Sequence, residues 1–191
     1  DVVGPSLGEK AINSGLWSFI IALAIVMIYM VFYYSGAGTA SVVALIVNMF
    51  FVFGVLASIG AVLTLPGIAG IVLTIGMAVD ANVLIYERIR EELTNGKGLK
   101  LAITDGYKNA YSSIIDANVT TFLTGVILYV FGTGPIRGFA TTLIIGILTS
   151  LFCAIFITRL IFEWRMEKKG TISFATSLTK NAFKSFSIDF L

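Results

Sequence analysis

Two carboxylates sit among apolar residues, where a carboxylate is costly. Asp80 falls within Gly76-Met77-Ala78-Val79-Asp80-Ala81-Asn82-Val83, and Asp116 within Ile114-Ile115-Asp116-Ala117-Asn118-Val119. The tetrapeptide Asp-Ala-Asn-Val thus occurs at 80–83 and again at 116–119. An aspartate inside a membrane-spanning helix costs about 2.5–3.5 kcal/mol on insertion scales, and desolvation disfavours its ionised form. Such a group can load and release a proton, or accept an ion pair in one conformation and stand neutral in another. Both properties suit a device driven by a proton gradient, in which one charge crossing about 100 mV is worth about 2.3 kcal/mol. Asp80 and Asp116 are therefore candidate proton-relay residues. The alternative is structural: Asp80 as a carboxylate hydrogen-bonded to a neighbouring helix, Asp116 as a cap or interfacial group.

Other residues could support such a relay. Asn82 lies about 200° around a helix from Asp80, so the two do not share a face, and Asn82 is expected to hydrogen-bond another helix. Asn118 is its counterpart in the second copy of the motif. Arg137 stands at the outer end of a span, placed either to snorkel to headgroups or to clamp the outer turn. Gly67, Gly70 and Gly76, with Thr74 and Ala78, form a run of small residues that lets helices approach closely. Cys153 falls in mid-span and reads as packing.

The elements that must hold these residues follow from composition. Of 191 residues, 57% are hydrophobic and only 13% charged, with a mean hydropathy of +0.95. That charge content is about half the average for soluble domains. The net charge of +2 is too small for polyanion binding, so nucleic acid is not expected as a partner. Histidine is absent and there is one cysteine, which excludes histidine-ligated metals, histidine-based triads and an internal disulfide. No cofactor is expected.

Charge-free tracts run from Lys10 to Asp80, from Ala117 to Ile136 and from Gly138 to Arg159. A crossing needs about 20 apolar residues, so the first tract holds three and the others one each. Ser35-Gly36-Ala37-Gly38 and Leu65-Pro66-Gly67 divide the long tract, and Gly132-Thr133-Gly134-Pro135 separates the last two spans. The reading is an all-α bundle of five transmembrane helices at about 12–34, 39–62, 66–87, 112–132 and 137–162. On that reading Asp80 is roughly 10 Å from the inner interface, seven residues short of Glu87 at about 1.5 Å each.

Most of the basic residues cluster in two places. Arg88, Arg90, Lys97, Lys100 and Lys108 lie between the third and fourth spans. Arg159, Arg165, Lys168, Lys169, Lys180 and Lys184 lie at and beyond the end of the fifth. The positive-inside rule places both in the cytoplasm, with the N-terminus outside and the C-terminus inside a bacterial cytoplasmic membrane. An outside N-terminus opening on Asp1 calls for a cleaved signal or, the preferred reading, a missing upstream span and external domain, with 1–11 as the exit from that domain. Segment 88–111 reads as a cytoplasmic loop, either a solvated helix or one lying on the inner face. The polar stretch 164–191 reads as a cytoplasmic tail or linker.

The motifs carry a resemblance. The run from Leu65 to Leu93, containing Gly76-Met77-Ala78-Val79-Asp80-Ala81-Asn82-Val83 and Tyr86-Glu87-Arg88, closely resembles the signature of the SecD family of protein-export membrane subunits. Asp116-Ala117-Asn118-Val119-Thr120-Thr121 and Phe131-Gly132-Thr133-Gly134-Pro135-Ile136-Arg137-Gly138-Phe139-Ala140 are similar to the family's later motifs. The likeness covers about residues 4–165. It implies one half of a pseudo-symmetric membrane domain of the resistance-nodulation-division superfamily, lacking its first span. It also implies a non-enzymatic, proton-driven role in pulling preproteins, with Asp80 as the relay aspartate and Asp116 in support. The implied partners are SecF, the SecYEG channel, exported preproteins and membrane lipid. The stretch Phe183–Leu191 resembles the segment before the first span of SecF, which implies a fused SecD–SecF chain.

Rival readings remain from other classes. One is a proton-driven small-molecule or lipid exporter of the same superfamily. Another is a passive scaffold of the channel. A third is an intramembrane aspartyl protease, which would need Asp80 and Asp116 close enough to share a proton.

Overall fold

A computed structural model describes residues 5–175, which form helices joined by short turns. The elements are α1 (Pro5–Ser58), α2 (Leu65–Thr94), α3 (Leu99–Phe131), α4 (Pro135–Phe152), a π-helical turn (Cys153–Ile157) and α5 (Thr158–Lys169). Four stretches are long and apolar enough to cross a membrane: Ile12–Ser58, Leu65–Thr94, Leu99–Phe131 and Pro135–Lys168. Segments 1–4 and 176–191, the latter holding Phe183–Leu191, lie outside the described residues.

Helix α1 is not one rod. Ser35 has φ 50° and ψ −114°, outside the helical region, and the chain reverses there. A Cβ on Gly38 would fall 2.0 Å from the Met30 carbonyl oxygen, so only glycine fits where the second arm turns back against the first. Ile28 and Phe32 of the first arm share a crevice with Val42 and Ile46 of the second. The turn signal at Ser35–Gly38 is therefore a real reversal, made without leaving hydrogen-bonded helix for more than a residue.

Contacts between small residues fix the directions of the other helices. Gly70 of α2 faces Thr142 of α4, and one turn on Thr74 faces Gly146; a Cβ at either glycine would come within 2.2–2.5 Å of the threonine hydroxyl. Both helices advance together, so α2 and α4 are parallel. Helix α3 returns antiparallel beside the pair and touches both, with Gly106 against the backbone of Ile89 and Gly125 against Ile144. The first arm of α1 runs parallel to α2, because Gly15 packs on Leu65 at one end and Tyr34 bonds Glu87 at the other.

The start of α2 is well specified. Thr64 caps it by accepting from the Gly67 amide at 3.2 Å, and Pro66 occupies the first turn, where its missing N–H costs nothing. At the other end α2 continues to Thr94 and α3 begins at Leu99, so segment 88–111 is helical except at 95–98. Helix α4, the π turn and α5 follow one another without a break until Gly170 ends them in the left-handed region (φ 67°).

The core has two parts. Near the α2–α3 turn, Tyr34, Tyr86, Tyr107, Phe162 and Phe174 stack edge-to-face and tilted around Ile85, Ile89 and Ala110. Toward the other end Phe19, Leu45, Met49, Val52, Leu56, Ile71 and Ile75 pack together. The outward surface carries Trp17, Ile25, Ile28, Phe50, Leu123, Ile127 and Phe156, large apolar side chains that a lipid environment accommodates.

Part of the polar tail is structured. Phe174 is buried against Tyr86 and Phe162, the Ala37 amide donates to the Ser173 carbonyl at 2.9 Å, and Arg165 donates to the Gly36 carbonyl. The segment after α5 thus straps the reversal at Ser35.

The small-residue stripe needs one correction. Gly70 makes a close approach and Gly67 a looser one, but a Cβ on Gly76 would meet nothing within 4 Å. Gly76 falls on the side of α2 turned away from α4, and tight contacts between helices fall instead on glycines outside that run, among them Gly106, Gly138 and Gly146. Gly70→Leu should lower stability by about 1–3 kcal/mol, the usual cost of overpacking, whereas Gly76→Ala should be neutral or slightly stabilising. Thermal unfolding of the full-length protein in detergent would check the pair.

Candidate functional site

The rotation of α2 decides where its polar residues go. Gly70, Thr74 and Ala78 turn toward the interior, which leaves Asp80 on the side facing α3 and Asn82 buried on the opposite side. Asp80 is exposed along a groove of about 520 Å³ between α2 and α3, lined also by Met77, Leu84, Glu87, Ser113, Asn118 and Thr121. Among the described residues its carboxylate has no hydrogen bond or ion pair. Glu87, at the end of the groove nearer the α2–α3 turn, is held by the Tyr34 hydroxyl at 2.9 Å and by Arg90 at 2.8 Å.

The two Asp-Ala-Asn-Val copies are used differently. On α3, Ala102, Gly106, Ala110, Ile114 and Asn118 form a buried row at four-residue spacing. Asn118 extends that row into the groove. Asp116, two residues earlier and about 200° around the helix, is exposed, does not line the groove, and accepts from Ser112 Oγ at 3.4 Å on its own helix. The groove therefore combines the aspartate of the first copy with the asparagine of the second. Asp80 and Asp116 do not line a common site, as a proton-sharing protease pair would require.

The asparagines are anchored to their own helices and differ beyond that. Asn82 Nδ2 donates to the Ala78 carbonyl at 3.2 Å, and its Oδ1 accepts from the Thr158 hydroxyl at 3.1 Å. That hydroxyl also lies 3.2 Å from the Cys153 carbonyl, across the π turn that carries Thr158 toward α2. Such turns recur at functional sites because the extra residue re-aims a side chain. Asn118 Nδ2 donates to the Ile114 carbonyl at 2.8 Å, but its buried Oδ1 has no partner among the described residues.

Arg137 clamps the α3–α4 turn. It donates to the Tyr129 hydroxyl at 3.2 Å, with its guanidinium 4.6 Å from the centre of the same ring. Cys153 is buried at the start of the π turn. Among the described residues no three Asp, Glu or Cys side chains converge as a metal site would require.

Sequence reasoning missed several polar contacts. Lys97 clasps the α2–α3 turn by pairing with Asp105 at 2.6 Å and Glu92 at 2.7 Å, while Asn109 donates to Glu92 at 2.8 Å. Hydrogen bonds from Lys97 to the Asp105 and Glu92 carboxylates hold its ammonium above its ordinary range, so the lysine is charged at neutral pH and leaves the clasp on the alkaline side only as pH rises through that raised value. Tyr86 shares a hydrogen bond of 2.5 Å with Ser41 across the core. Asn48 is fully buried with neither amide atom partnered among the described residues. The Gly-Lys-Gly turn flanked by Glu92 and Asp105 could have signalled the clasp; nothing in the local sequence marks the Asn48 or Ser41 positions.

The family described as "Protein export membrane protein SecD/SecF, C-terminal" matches residues 1–168. The protein translocase subunit SecD of Rhodothermus marinus is 58% identical over 172 residues, which are 90% of this chain and 28% of that protein. The SecD subunit of Desulfurispirillum indicum is 57% identical over 161 residues, 84% of this chain and 31% of that protein. The crystal structure of SecDF from Thermus thermophilus, described as a translocon-associated membrane protein, superposes with a TM-score of 0.85 at 39% identity, covering 90% of this chain and 24% of that one. The chain spans about a third of the length of the curated relatives it matches.

Interhelical hydrogen bonds in membranes average about 0.6 kcal/mol and reach about 1–2. A double-mutant cycle with Asn82→Leu and Thr158→Val should give a coupling energy in that range. Additive losses would mean that the two side chains stabilise the bundle independently.

Proposed function

The chain belongs to the SecD/SecF C-terminal family of protein-export membrane proteins, and on that footing we propose that it is the membrane part of a proton-driven accessory subunit of the Sec export machinery. The arms of α1 count as two passes, which with α2, α3 and the α4–α5 rod makes five. The basic residues around the α2–α3 turn and along α5 then lie in the bacterial cytoplasm, the N-terminus outside and the C-terminus inside. The bundle is one half of a pseudo-symmetric domain whose other half is SecF, separate or fused. The complete protein acts with the SecYEG channel on emerging preproteins, as a secondary-type translocase component and not as an enzyme.

The observation that carries this reading is the setting of Asp80. It is an acidic side chain within an apolar helix, beside a largely apolar groove that also holds Glu87, Ser113, Asn118 and Thr121, with no internal partner among the described residues. A charge in that position is expensive unless it is used. Protonation from the outer side and release to the inner side would alter how α2 packs on its neighbours, and the parallel α2–α4 contact would carry that motion outward. Asp116, bonded only within its own helix, supports entry or exit of the proton. The relatives are named as translocase subunits, which favours export over the small-molecule exporter reading.

Asp80→Asn in the full-length protein should abolish the part of export that depends on the proton gradient while leaving membrane insertion and abundance unchanged. Asp116→Asn should reduce it only several-fold. Export into inverted membrane vesicles, with and without an uncoupler, checks both. Uncoupler-sensitive export by the Asp80 variant at the native rate would refute the relay.

A further inference from the structure

We infer that Asn118 is a positioning residue for the relay: its Oδ1 is the acceptor that directly receives the O–H of neutral Asp80. The inference rests on the relay reading above and assigns the partner that reading leaves open.

Four observations carry it. Asn118 is 8% exposed, yet its Oδ1 has no hydrogen bond among the described residues, and a buried unsatisfied acceptor is costly. The orientation of the amide is fixed by chemistry, since Nδ2 already donates to the Ile114 carbonyl at 2.8 Å and exchanging the two atoms would place oxygen against oxygen. Oδ1 is thus the remaining atom, and Asn118 lines the same groove as Asp80. Finally, an amide oxygen can only accept. It gains a bond from a protonated carboxyl or a water and gains none from a carboxylate, so it discriminates between the two states of Asp80.

Asn118 Oδ1 is the groove's one buried acceptor without a partner among the described residues. Glu87, on the same helix, already accepts from Tyr34 and Arg90 through Oε1. From α3 the polar lining residues are Ser113, Asn118 and Thr121, none of them titratable, and the Thr121 hydroxyl donates to the Ala117 carbonyl of its own helix. Asp116 is outside the groove, and neither α1 nor α4 contributes a lining residue. In the cycle a hydronium ion on the outer side gives its proton to the Asp80 carboxylate and becomes water. The new O–H then donates to Asn118 Oδ1. On release the proton passes to a water facing inward, and Oδ1 returns to groove water.

Full-length protein, native and Asn118→Leu, would be compared for gradient-dependent export in vesicles across a pH series. Loss of a hydrogen bond made only by the protonated carboxyl should shift the alkaline limb to lower pH by about 0.4–1 unit. A merely structural role would lower export equally at every pH, and an unshifted limb would overturn the inference. An independent readout is the carbonyl-stretch band of protonated Asp80 in native protein, assigned by difference against Asp80→Asn. The inference expects a hydrogen-bonded band, and a band typical of a free carboxyl group would overturn it even if the Asn118 variant fails to fold. Should Asp80→Asn itself leave uncoupler-sensitive export intact, the relay reading falls; should it abolish that export while Asn118→Leu leaves the limb in place, only this inference falls.

Discussion

The close parallel contact of α2 with α4 is the constraint from which the rest follows. Gly70 against Thr142 and Thr74 against Gly146 bring the two backbones nearer than any pair of larger side chains would permit. In lipid there is little hydrophobic gain from helix association, so such close packing and the hydrogen bonds it allows do most of the holding. The contact also fixes the rotation of α2 about its axis. Once Thr74 and Ala78 face inward, Asp80 must face the α3 groove and Asn82 must face α5. The carboxylate lies in the groove with Ser113, Asn118 and Thr121 because small residues occupy the side of α2 that packs on α4.

The same contact accounts for the π turn. Helices α2 and α4 stay in register through Thr74 and Gly146, and beyond that point the extra residue in Cys153–Ile157 lets Thr158 come round to Asn82. The hydroxyl satisfies Asn82 Oδ1, which would otherwise join those of Asn48 and Asn118 as a third orphaned amide oxygen among the described residues. Asn118, in the antiparallel neighbour, has no such donor, and that difference makes the two copies of one tetrapeptide unequal. The first copy supplies an exposed acid and a satisfied structural amide. The second supplies an exposed acid bonded locally and a buried amide with an acceptor to spare.

At the opposite end of the polar layer, the reversal at Ser35 is held by parts distant in sequence. Ser173, Phe174 and Arg165 close over Gly36 and Ala37, and Tyr34 reaches Glu87. Glu87 is thereby committed to a structural pairing, so the groove keeps a single unpaired carboxylate. The aromatic cluster of Tyr34, Tyr86, Tyr107, Phe162 and Phe174 ties both arms of α1, the α2–α3 turn and the end of α5 into one unit. The Lys97 clasp closes the remaining turn.

Much of this was legible in the residues themselves. Charge-free tracts gave the helices, because a backbone in hydrocarbon must satisfy its own hydrogen bonds. The glycine and proline clusters marked the turns, although at the first reversal the unusual angles fall on Ser35 beside the glycines. The 200° offset separated Asp80 from Asn82 before any fold was known. The sequence also held the row Ala102-Gly106-Ala110-Ile114-Asn118, which identifies the buried face of α3, although the repeated tetrapeptide drew attention to Asp116 instead. What local pattern could not decide was which helix lies beside which, and at what rotation. Gly76 belongs to the same small-residue run as Gly70, yet one meets open space and the other a threonine. Asn118 faces Asp80 only because α3 returns antiparallel at one particular height. Periodicity defines the faces of a helix, but a neighbour's position is set by contacts summed over the whole bundle, and those exist only once the chain has folded.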